Sequence, residues 1–225
     1  MESFDNGYKV VPENILQVIK NSTSHEDYTS LCLITQHGQT QCRFYEMPEF
    51  SKAMIFIGGI SGDWDTPSRQ LYPHLCVELM DYGIASFRVR FKDSHDLEKS
   101  VFDVVAVLSY LRSLNVQKIG IVGHSFGGAV AIRAASVDLN VKLVITLATQ
   151  SYGAGSAEDL GPRCALLLLH GGSDTVLPES ASEHIYSIAK DPKEIQIYPQ
   201  ATHNLDEVAE ELHQRVKDWV LHWLK

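Results

Sequence analysis

The stretch KIGIVGHSFGGAVAIRAA, residues 118–135, constrains the fold more than any other. KIGIVG has the apolar character of a strand buried on both faces, and the segment from Phe126 to Ser136 is a helix of small residues. Between them Gly123-His124-Ser125-Phe126-Gly127 fits the pattern Gly-x-Ser-x-Gly. The chain must reverse sharply here, and side chains at the two flanking positions would crowd the turn. Such a turn leaves Ser125 at its apex in a strained backbone conformation, its hydroxyl clear of the sheet. It also sets the backbone N–H of Phe126 at the positive end of a helix, aimed at any negative oxygen nearby. A serine that only caps a helix needs no flanking glycines.

The rest of the chain repeats the strand-to-helix step. SLCLITQHGQTQCRFYEM reads as two strands around a turn at His37-Gly38. KAMIFIGGISG is an apolar strand that breaks at glycines, and PSRQLYPHLCVELMDYG is helical up to Gly83. IASFRVRF is a strand, and Val101, Val104, Val105, Leu108 and Leu111 follow helix spacing. After the elbow come the strand VKLVITLA, the strand CALLLLHGGSD, a helix near residues 178–190, the strand EIQIYP and a last amphipathic helix. This order predicts an α/β fold: a mostly parallel central sheet, an N-terminal antiparallel hairpin, and helices on both faces. Residues 28–225 read as one such domain without a cap domain, and residues 1–27 as a lead-in segment with a short helix near Asn14–Ile19. Sites in such sheets open at the carboxyl ends of the strands.

A serine hydroxyl is a poor nucleophile without a base, and the base needs an orienting acid. Of ten histidines, His203 stands in the loop leaving the last strand, just before the last helix. His170, at a strand end, reads as a packed core histidine, and His124 should point away from the serine. Asp174 follows a strand that ends in glycines, whereas Glu158 and Asp159 lie too far along their loop to be held firmly. The chain order is therefore Ser125, Asp174, His203.

These segments resemble the α/β-hydrolase superfamily. The elbow GHSFGG, the acid loop GGSDTVLP and the histidine loop ATHNL each look like its motifs, in its order, across residues 28–225. Among its members the pattern is similar to small lidless carboxylesterases and to the dienelactone-hydrolase-like and serine-aminopeptidase-like groups. The resemblance implies Ser125 as nucleophile, His203 as general base and then acid, and Asp174 as the group orienting His203. It further implies a second oxyanion donor beside Phe126, from the loop IFIGGISGDW. By position this donor is Ile60, with Gly59 the alternative, and Gly58 stands where the family usually carries a histidine. The implied activity is hydrolysis of an acyl bond, most simply a carboxylic ester of a small or accessible substrate. Non-catalytic ligand binding and acyl transfer, thioester or peptide cleavage on the same triad are the alternatives.

Trp64, Tyr152 and Leu177 sit where a substrate would bind, with Tyr72 and Leu205 beside them. Arg88 and Arg90 are expected to pair with Asp93 or Asp96. A net charge of −9 argues against nucleic acid or an anionic membrane as partner, which leaves a small acyl substrate. No His-Glu-x-x-His, paired-cysteine spacing or Gly-x-Gly-x-x-Gly points to a metal or cofactor, and none is expected. The start of the chain lacks the pattern of a signal or transit peptide, so a cytoplasmic location with reduced cysteines is expected. Cys32 and Cys42 flank the hairpin turn at positions that could face each other.

Overall fold

The alternation resolves into one nine-stranded sheet in a computed structural model, which describes residues 14–22, 27–60, 63, 64 and 66–225. The strands are β1 (Gln17–Ser22), β2 (Thr29–Thr35), β3 (Gly38–Tyr45), β4 (Lys52–Ile57), β5 (Ile84–Arg90), β6 (Lys118–His124), β7 (Val141–Leu147), β8 (Ala165–Gly171) and β9 (Lys193–Tyr198). Their spatial order is β1-β2-β3-β5-β4-β6-β7-β8-β9. Pairing is antiparallel from β1 through β3 to β5 and parallel from there to β9.

The central strands carry apolar residues on both faces because both faces are covered. Helices α2 (Leu97–Ser113), α3 (Phe126–Ser136) and α4 (Ser180–Ile188) bury one face, with Val104, Leu108, Ala131 and Ile185 inaccessible to solvent. Helices α1 (Pro67–Glu78) and α5 (Ala209–Trp223) bury the other through Leu75, Leu212, Val216 and Val220. The alanines of α3 let that helix lie close to the sheet. Between β7 and β8 the regular structure among the described residues is a 3-10 turn at Gly155–Asp159.

Two expectations need correction. Residues 17–22 form a strand, not a helix, because the free edge of β2 offers a full ladder of pairs from Gln17↔Ile34 to Ser22↔Thr29. The sheet therefore begins ahead of the boundary expected at residue 28; residues 1–13 and 23–26 lie outside the described residues. Cys32 and Cys42 do not face each other. The register pairs Cys32 with Gln41 and Leu31 with Cys42, which puts the two sulfurs on opposite faces of the hairpin. All four cysteines are free.

Candidate active site

The elbow forms as the glycines require. A methyl group on Gly123 would overlap the Gly127 carbonyl, and one on Gly127 would overlap the Gly58 carbonyl. Ser125 adopts φ 56° and ψ −121°, and its side chain makes no capping bond to α3. Its backbone is held from three sides. Ser125 N–H donates to the Leu147 carbonyl at 2.8 Å, while its own carbonyl accepts from Gly128 N–H at 3.0 Å and Thr149 Oγ1 at 3.1 Å. The Phe126 N–H lies in the first turn of α3, where no helical carbonyl is available to it. The Phe126 ring turns into the core and meets Phe91 edge-on.

Asp174 and His203 come from the loops after β8 and β9. His203 Nδ1 lies 2.7 Å from Asp174 Oδ2, and the carboxylate is fully buried. The other oxygen, Oδ1, accepts from the amides of Val176 at 2.7 Å and Leu177 at 2.9 Å. Asp174 is thus not the cap of α4, which starts six residues later at Ser180. Burial by itself pushes the carboxyl pKa up; the bonds from His203, Leu177 and Val176 outweigh it and hold the group below its usual value. The carboxylate therefore stays ionised beside the imidazole and fixes a proton on Nδ1, leaving Nε2 free to act as a base.

The histidine loop is pinned by its carbonyls. The His203 carbonyl accepts from His124 Nε2 at 3.0 Å, the Asn204 carbonyl from Ser68 N–H at 2.7 Å, and the Leu205 carbonyl from Ser68 Oγ at 3.2 Å. Arg69 N–H adds a bond to Asp206 at 2.9 Å. Apart from His124, these donors are presented by Ser68 and Arg69, which with Gln70 form three consecutive residues in left-handed conformation at the start of α1.

Ser125 and His203 open onto one cavity of ≈ 340 Å³, whose walls include Gly59, Ile60, Pro67, His124, Gln150 and Leu177. A methyl group on Gly59 would stand 3.2 Å from the Ser125 Cβ, so the loop leaving β4 runs directly beside the serine. Ile60, half exposed, is on the same wall. No hydrogen bond joins the Ser125 hydroxyl to the His203 imidazole, and the two groups share the cavity wall.

The structure separates the three residues expected to bind substrate. Leu177 lines the cavity. Trp64 does not: Arg43 and Arg88, directly opposite each other on β3 and β5, both reach it. The Arg43 guanidinium stacks on the indole at 4.4 Å and Arg88 donates to its carbonyl, which holds the residue aside. Tyr152 is 79% exposed and also stands off the cavity wall, with its carbonyl bonded to the Gln150 side chain. Tyr72 is fully buried with its hydroxyl on the Ile57 carbonyl at 2.9 Å. Arg90 pairs with Asp63 instead of Asp93 or Asp96, which both engage Lys99.

Reading the sequence alone missed His124, Gln150, Asn204 and Ser68. His124 is expected to point away from the serine, yet it lines the same cavity. The histidine lies against His203, ring centres 4.8 Å apart. Ser68 carries no motif, and only the closed fold brings it to the histidine loop.

This sheet order, with helices on both faces and the elbow between β6 and α3, defines the chain as an α/β hydrolase. It belongs to the dienelactone hydrolase family, which matches residues 84–222. The chain is similar to the uncharacterized protein YfhR of Escherichia coli K12, 30% identical in an alignment of 122 residues, with 44% of this chain and 43% of that protein covered. The match thus spans less than half the length of that curated relative. Among solved structures it resembles the Pyrococcus furiosus esterase Pf2001, at 20% identity and a TM-score of 0.72, over 98% of this chain and 100% of that one. It also resembles Est1E from Butyrivibrio proteoclasticus, at 18% identity and a TM-score of 0.70, over 92% of this chain and 98% of that one.

Proposed function

We propose that the protein is a serine hydrolase that cleaves carboxylic esters of small or accessible substrates. The observation that carries this reading is the Asp174–His203 pair, closed at 2.7 Å, on the cavity that also exposes Ser125. The Ser125 oxygen attacks the acyl carbonyl carbon as its proton passes to His203 Nε2. The resulting oxyanion is met by the N–H groups of Phe126 and Ile60. His203 then protonates the departing alkoxide oxygen, the carbonyl reforms, and an acyl-enzyme remains on Ser125. Water then gives a proton to His203 Nε2 as its oxygen bonds to the acyl carbon; the bond to Ser125 breaks, His203 returns the proton to the Ser125 oxygen, and the carboxylic acid leaves.

The likeness to a Pyrococcus furiosus esterase supports this substrate class, and the ≈ 340 Å³ cavity suits a short acyl group. A cytoplasmic location remains part of this proposal, and there the four cysteines stay thiols; burial pushes the Cys164 thiol up to about 12. The test is a panel of p-nitrophenyl esters of increasing chain length. Short esters should be turned over, and Ser125→Ala should lower kcat by roughly 10⁴-fold or more. A Ser125→Ala protein with undiminished esterase activity contradicts the proposal.

A further inference from the structure

A second histidine reaches the acid loop from below. His170 is the next-to-last residue of β8, four residues before Asp174, and both side chains are fully buried. Its Nε2 lies 3.1 Å from the Leu177 carbonyl oxygen and 3.3 Å from Asp174 Oδ2. A carbonyl oxygen can only accept, so Nε2 carries the hydrogen. In the neutral ring Nδ1 is then the acceptor, and it stands 2.7 Å from the hydroxyl of Ser182, itself fully buried on α4.

We propose that Ser182 and His170 form a buried positioning relay for the triad acid. The Ser182 hydroxyl fixes the tautomer of His170. The Nε2–H, donated to the Leu177 carbonyl with Asp174 Oδ2 3.3 Å away beside it, then fixes the acid loop where Oδ2 meets His203. This rests on the reading of Asp174 as the acid that orients the catalytic base.

The placement has a physical rationale. Oδ1 is held by two amides, but Oδ2 otherwise has His203 alone, the group that gains and loses charge during turnover. A ring N–H of fixed position beside Oδ2 keeps the carboxylate from following the imidazole as its charge changes. Packing alone would be met by an apolar side chain, without the cost of dehydrating two ring nitrogens. Among the described residues, the titratable group in contact with His170 is Asp174, and those against His203 are Asp174 and His124.

The experiment compares His170→Leu, His170→Gln and Ser182→Ala with the wild-type chain. It measures kcat and KM on a short p-nitrophenyl ester, the pH profile of kcat/KM, and folding by circular dichroism. His170→Leu should lower kcat about 10–100-fold, the usual cost of losing a group that orients a site ligand, with KM little changed. Its acid limb should move to higher pH, because Oδ2 without that N–H dipole beside it presents more negative charge to the His203 imidazolium. His170→Gln restores a donor near the Nε2 position and should recover most of both effects. Ser182→Ala should move both in the same direction, by less. A folded His170→Leu with wild-type kcat and acid limb overturns the relay, as does a folded His170→Gln no better than His170→Leu. Should His170→Leu not fold, a Ser182→Ala enzyme with unchanged kcat and pH profile overturns it. Full activity in Ser125→Ala would instead contradict the triad itself, so the two failures are distinguishable.

Discussion

At the scale of the residue, the site combines a strained serine with a relaxed acid. A non-glycine residue at φ 56° costs on the order of 1–3 kcal/mol. Two backbone hydrogen bonds, a third from the Thr149 hydroxyl, and the close approach of Gly58 to Gly127 over-determine that conformation. Asp174 is the opposite case, since every bond it receives favours its charged form. Its folded pKa lies below the unfolded value. The group therefore stabilises the fold fully above about pH 4, near the unfolded carboxyl pKa, and that contribution is withdrawn as pH falls through the folded value. In Asp174→Asn this component is missing. Urea unfolding from pH 6 down to 3 should show the wild type losing stability more steeply than Asp174→Asn below about pH 4. Parallel curves would show that the ionised carboxylate contributes nothing to the fold.

At the scale of the element, the elbow is the part that sequence determines most tightly. β6, the turn and α3 can be read directly, because the glycines have no other use and the strand and helix patterns meet there. The prediction at this scale follows from Gly127, whose α-hydrogen faces the carbonyl of Gly58 in the loop that carries Gly59 and Ile60. Gly127→Ala should push that loop away and cost about 1–3 kcal/mol, as over-packing does. Thermal unfolding should then shift down by roughly 2–12 °C, and esterase activity should fall with it as the oxyanion donor moves. An unshifted transition would mean that the contact is loose. Two other elements were illegible for a shared reason. Residues 14–19 carry apolar positions that fit a helix as well as a strand, and only the free edge of β2 decides between them. The left-handed turn at Ser68–Gln70 lies inside a stretch with ordinary helical composition; its geometry follows from bonds to Asn204 and Leu205, more than a hundred residues away.

At the scale of the whole molecule, the fold gathers residues 125, 174 and 203 at the carboxyl edge of one parallel sheet. That convergence was readable because each residue follows a strand, and parallel strands all deliver their loops to the same edge. The walls of the cavity were less readable. Trp64 and Tyr152 lie in loops at the correct edge, yet paired arginines hold one aside and solvent takes the other, while Gln150 and Pro67 face the serine. Which side of a loop faces a cavity depends on packing that leaves no periodic trace. Among the described residues no helix is long and apolar enough to cross a membrane. The central claim is that Ser125 is activated by His203 across this cavity. The most direct measurement is mass-spectrometric mapping of a fluorophosphonate adduct, with its rate of formation in the wild type and in His203→Ala. The account predicts one adduct, on Ser125, formed at least about a thousandfold more slowly when His203 is removed. An adduct on another residue, or equal rates in the two proteins, would contradict it.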